Sequence, residues 1–81
     1  MNTTAKLLES MRRQPLDWRM EQLQTVARQF GMAVRCAGGS HHVFSHETVT
    51  DILSVPAHRP IKPAYVRKFV EMVDKVKESQ A

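Results

Sequence analysis

Three histidines fall within six positions of one short apolar stretch, His41, His42 and His46 in GGSHHVFSH at 38–46, and Cys36 and His58 lie near it in the chain. Imidazoles and thiols bind metals, attack carbonyl or phosphoryl centres and carry protons near neutral pH. HHVFSH has the composition of a strand, on which side chains alternate between two faces. His42, Phe44 and His46 then share one face, and His41, Val43 and Ser45 the other. If Phe44 packs beneath covering helices, His41 stands alone on the open side, beside Arg35 of the preceding strand, and His42 leans inward at the edge of the core.

That alternation separates the candidate chemistries. His42 and His46 lie roughly 13 Å apart along a strand that rises about 3.3 Å per residue, too far to share a zinc ion. His41 and His42 point to opposite faces, and one cysteine with scattered histidines lacks the paired spacing of a structural zinc site, so no metal site is expected. Arg35 beside Cys36 favours a thiolate, but alternation groups Cys36 with Met32 and Val34, where a cysteine acts as a small buried hydrophobe. Proton transfer by His41 remains. RNA carries its own nucleophile, the ribose 2′-hydroxyl, so its cleavage needs only a base, an acid and cations around the phosphorane. A lone strand histidine is also compatible with a purely structural role.

The surroundings of these residues favour a polyanion. The 81-residue chain carries a net charge of +4, with no acid from Gln22 to His46 or from Ile52 to Val70; Arg28, Arg35, Arg59, Lys62, Arg67 and Lys68 lie in those stretches. Such a field attracts phosphates, although a solvated basic face without a partner gives the same pattern. In PAHRPIKP, His58, Arg59 and Lys62 precede a helix N-terminus, where backbone amides favour an anion. The same loop also reads as a proline-stiffened connection.

The elements that must position these residues follow from periodicity. Thr3 or Thr4 is placed to cap a first helix with Leu7, Leu8 and Met11 at helical spacing, stopped by Pro15. Asp17 is placed to cap a second, with Leu23, Val26, Ala27 and Phe30 on one stripe and Gly31 as its stop. MAVRC, HHVFSH and TDILSVP read as three strands, with Leu53 and Val55 facing in. Pro63 opens a last helix whose stripe is Val66, Phe69, Val70 and Val73, with Glu71 and Lys75 as an i, i+4 pair. The order α-α-β-β-β-α, with connections too short for parallel crossovers, predicts an α+β fold: a three-stranded antiparallel sheet with helices on one face. Hydrophobic residues at 42% and charged residues at 25% suit one compact domain. It divides into an N-terminal helical extension (1–16), a core (17–76) and a frayed tail (77–81). The single cysteine and the absence of an apolar leader or spanning segment predict a cytoplasmic protein.

The stretches QTVARQFGMAVR, GGSHHVF and IKPAYVRKFVEMV resemble the HicA toxins, the YcfA-like messenger RNA interferases of type II toxin-antitoxin systems. GGSHHVF is similar to the family's GSHH-x-F signature, and the likeness covers most of the chain. Ala64 departs from the glycine that many members carry after Lys-Pro. The resemblance implies a fold like that of double-stranded-RNA-binding domains, endoribonuclease cleavage of mRNA without a metal or other cofactor, and a HicB-type antitoxin partner. His41 matches the family's catalytic histidine, the general acid or base. Gly39 and Ser40 in the turn, with Arg35, Arg59 and Lys62, are the candidate RNA contacts. A non-catalytic double-stranded-RNA-binding module is the alternative, and a bare interaction subunit a third.

Overall fold

The computed structural model describes residues 3–37, 39–57 and 59–80. Its order is α1 (Thr3–Arg13), α2 (Met20–Gln29), β1 (Ala33–Ala37), β2 (His41–His46), β3 (Val49–Pro56) and α3 (Pro63–Gln80), the expected α+β arrangement. The sheet is antiparallel, with strand order β1-β2-β3. No helix among the described residues is long and apolar enough to cross a membrane.

Phe44 sets the two sheet faces. It pairs with Val34 and Leu53, and His42 pairs with Cys36 and Val55, so these residues form the face turned to the helices. Phe44 and Val55 are fully buried in one cluster with Leu23, Val26, Val66, Phe69, Val73 and Val76. Arg35, His41, Ile52 and Ser54 on the opposite face are exposed. α2 packs along β1 and α3 along β3. Only one face has enough apolar side chains to bury, so only one is covered.

The helix ends follow local chemistry, with two corrections. α2 closes in a Schellman arrangement: Gly31 adopts φ 72°, Met32 N–H reaches the Ala27 carbonyl (2.9 Å) and Gly31 N–H the Arg28 carbonyl (3.1 Å). Its N-cap, however, is Arg19 and not Asp17; the Gln22 side chain accepts the Arg19 backbone N–H at 2.9 Å. Asp17 adopts a left-handed turn, φ 64°, which Asp tolerates better than most residues. The displacement has a tertiary cause. Trp18 is held extended in an antiparallel bridge to Ile61, whose N–H meets the Trp18 carbonyl at 2.7 Å, so the helix starts later. In α1, Thr3 and Thr4 lie inside the helix instead of capping it from outside.

The segment expected as an N-terminal extension is part of the core. Leu8 and Met11 are buried in the common cluster, and α1 packs on α2 and α3. Arg12 clamps α1 to α3 with two parallel hydrogen bonds to Asp74, both 2.8 Å. That hydrogen bonding holds the Asp74 carboxyl below the usual carboxylate range. A carboxyl with a folded pKa below its unfolded one stabilises the fold above the unfolded value, near pH 4, and loses that contribution as pH falls through the folded value. Both side chains are partly exposed, so Asp74→Asn is expected to cost about 0.5–1 kcal/mol at pH 7. In urea titrations the difference between variant and parent should shrink below pH 4.

Most of the segment expected to fray is helical, since α3 continues through Gln80. Ser79 Oγ lies 2.6 Å from Thr48 Oγ1 and donates to the Val76 carbonyl. Lys75, expected to pair with Glu71, forms its salt bridge with Asp51 of β3.

Candidate nucleic-acid interface

The tip of the β1–β2 hairpin carries the candidate site. Gly39 adopts φ 77°, a conformation that leaves Ser40 exposed at the end of the turn. His41 follows as the first residue of β2, exposed, opposite Ala37 on one side and Pro56 on the other. Ser40 Oγ lies 3.1 Å from His41 Nδ1. With the hydroxyl donating, the imidazole proton sits on Nε2; with Nδ1–H donating, Nε2 has a free lone pair. Either way Nε2 is the nitrogen left for a ligand.

The three histidines of the cluster divide as strand alternation requires. His46 is structural: its Nδ1 accepts the Thr48 backbone N–H (3.1 Å) and lies 2.7 Å from Thr48 Oγ1. A backbone N–H only donates, so His46 carries its proton on Nε2. His42 is half-buried on the helix-facing side, with Nε2 3.3 Å from Cys36 Sγ and Nδ1 buried without a partner among the described residues. Cys36 is a correction. It shares the inner face with Val34 as alternation predicts, yet it is exposed and not a buried hydrophobe. Phe44 and Val55 are fully buried while Val34 is only partly so, and β1 runs out past the helical layer at Cys36. Among the described residues, no three His, Cys, Asp or Glu side chains gather into a metal-binding group.

Around His41, the open sheet face carries Ala33, Arg35, Val43, Ser45, Thr50, Ile52 and Ser54, none of them acidic. Arg35 pairs with Val43, two residues along β2 from His41 on the same face. Arg59 approaches by another route. Ala57 N–H donates to the Ser40 carbonyl at 2.8 Å, fastening the loop after β3 to the hairpin tip. The loop leads into Arg59, an exposed residue that borders two adjoining recesses. The larger, about 370 Å³, is lined by Asp17, Arg19, Arg59 and Pro60. Lys62 stands apart: it is exposed, lines neither recess, and its carbonyl accepts the Tyr65 and Val66 N–H groups at the start of α3. His58 and Gly38, also read as candidates from the sequence, lie outside the described residues.

Thus Gly39, Ser40 and His41 meet at the hairpin tip with Arg35 on the same open face. Arg59 is tied to the tip through the Ala57–Ser40 bond but lines recesses on the helix-facing side, and Lys62 does not join them. Arg19 is the residue that periodicity missed. It is one of several arginines in its stretch, and only the Trp18–Ile61 bridge, between segments more than 40 positions apart in the sequence, brings it beside Arg59. No family model matches the chain, and neither a curated protein nor a solved structure matches it.

Proposed function

We propose that the chain is a HicA-type toxin, an endoribonuclease that cleaves mRNA without a metal, with His41 as its acid-base group. The observation that carries this reading is His41 itself: exposed on an acid-free sheet face, with its Nδ1 beside Ser40 and its Nε2 left for a ligand. In the cleavage, the 2′-hydroxyl forms a bond to phosphorus while the bond from phosphorus to the 5′-oxygen breaks. One proton leaves the 2′-oxygen and one reaches the 5′-oxygen. His41 moves one of these, and water exchanges the other. Arg35, on the same face as His41, supplies a cation for the phosphorane oxygens, whose charge grows in the transition state, and Arg59 a cation for the flanking phosphate backbone. The Gly39–Ser40 turn shapes the approach of the phosphate.

The same face suits a protein partner that would silence the activity. Ile52 is 69% exposed on β3, two residues along that strand from Ser54, the register partner of Val43, on a face that carries Arg35 and no acid. An antitoxin of HicB type, acidic around an apolar contact, would cover both Ile52 and His41. The reading is tested by incubating purified chain with RNA in excess chelator. Cleavage to products ending in a 2′,3′-cyclic phosphate and a 5′-hydroxyl is expected. Retention of RNA without cleavage would instead establish a double-stranded-RNA-binding module that reads shape on the same face.

A further inference from the structure

The smaller of the two recesses beside Arg59 takes no part in the proton chemistry at His41. It measures about 260 Å³ and is lined by Met20, Glu21 and Gln24 of α2, His42 of β2, and Ala57 and Arg59 of the loop after β3. Pockets for drug-sized ligands run from roughly 300 to 1,000 Å³, so this one suits a single planar ring system. Met20 is a buried apolar floor. His42 lines the recess with a half-buried ring whose two nitrogens are occupied elsewhere or buried, Nε2 beside Cys36 and Nδ1 out of solvent. Glu21 and Gln24, three apart on a helix, share one edge. The walls therefore combine a stacking surface, a carboxylate, an amide and a guanidinium.

This is the chemistry by which proteins hold an unpaired RNA base: a flat side-chain surface against the ring and polar groups along its edge. Guanine presents adjacent N–H donors on its Watson–Crick edge, which one carboxylate accepts together. Uracil offers a single N–H between two carbonyls that a carboxylate repels. The recess opens on the helix-facing side of β2, across the strand from His41, and stays near the hairpin tip because Ala57 N–H is bonded to the Ser40 carbonyl. Beyond it the larger recess sets Arg59 and Arg19 against the single carboxylate of Asp17, a net positive wall along which a phosphate backbone would leave.

We propose that this recess is the base subsite of the RNA-cleaving site, taking the unpaired base next to the scissile phosphate and preferring guanine through Glu21; the proposal rests on the nuclease reading. Titration of the isotope-labelled full chain with guanosine 5′-monophosphate, and separately with uridine 5′-monophosphate, reads the recess by NMR whether or not RNA is cut. Guanosine monophosphate is expected to shift the amides of Glu21, Gln24, His42 and Ala57 and to bind about tenfold more tightly than the uridine nucleotide. Glu21→Gln should abolish that difference, and with it any enrichment of guanine beside mapped cleavage sites. Equal responses to both nucleotides, or a preference that survives Glu21→Gln, would overturn the subsite. If the chain cuts RNA while the recess stays silent, this inference fails alone. A guanine-selective recess on a chain that cuts no RNA upholds base recognition and overturns the nuclease reading.

Discussion

His41→Ala lowers the rate of RNA cleavage by a factor of about 10²–10⁴, the usual contribution of one positioned acid-base group, and leaves the unfolding midpoint where it was. The two halves of that expectation have separate grounds. His41 is exposed with its Nδ1 beside Ser40 and its Nε2 left for a ligand, so loss of the ring removes proton transfer without disturbing the attraction of the phosphate by Arg35 and Arg59. RNA retention by the variant should therefore stay within a few-fold of the parent. The side chain is exposed and, among the described residues, its side-chain hydrogen bond is to its neighbour Ser40, so the core loses nothing. Cleavage kinetics, a filter-retention assay and thermal unfolding on the same preparation check all three. A stable variant that still cuts RNA at the parental rate would remove His41 from the mechanism.

Phe44→Ala is expected to cost about 3–5 kcal/mol. A domain of this size is stable by roughly 4–12 kcal/mol in total, so that loss is a large fraction of it. Phe44 is completely buried at the middle of the central strand and meets Phe69 of α3 edge-on, ring centroids 5.2 Å apart at 64°. Its removal opens a cavity between sheet and helices and withdraws the aromatic contact. Functional loss should follow, because Phe44 fixes which way β2 faces, and with it the outward aspect of His41. Urea unfolding followed by circular dichroism checks the magnitude; a midpoint unchanged from the parent would mean that the sheet is anchored elsewhere. The two substitutions, three residues apart on one strand, should thus separate cleanly into a chemical and a structural effect.

That separation was legible in the sequence because it depends on a two-residue period alone. Strand alternation placed Phe44 inward and His41 outward; Gly31 and Pro63 likewise announced their helix boundaries through backbone chemistry that needs no partner. What could not be read depends on how far the covering layers extend and on contacts between distant segments. Cys36 obeys the alternation yet is exposed, since nothing in MAVRC tells where α2 stops shielding β1. Asp17 has the composition of a cap but is overruled by the Trp18–Ile61 bridge, which also brings Arg19 beside Arg59. The tail expected to fray is held by Ser79, whose partner Thr48 lies 31 positions away. Arg12 and Asp74, 62 apart, turn an apparent extension into a clamped part of the core. Cys36 apart, a contact between distant segments decided each of these outcomes.

The central claim is that this chain cuts RNA by driving the RNA's own 2′-hydroxyl onto phosphorus, with His41 moving a proton. The most direct measurement compares, in excess chelator, the cleavage rate of an RNA with a mapped cut site and of the same RNA carrying one deoxyribose on the 5′ side of that linkage. The all-ribose strand should be cut and the substituted linkage should remain intact. Cleavage of both strands at similar rates, or of neither, would contradict the account.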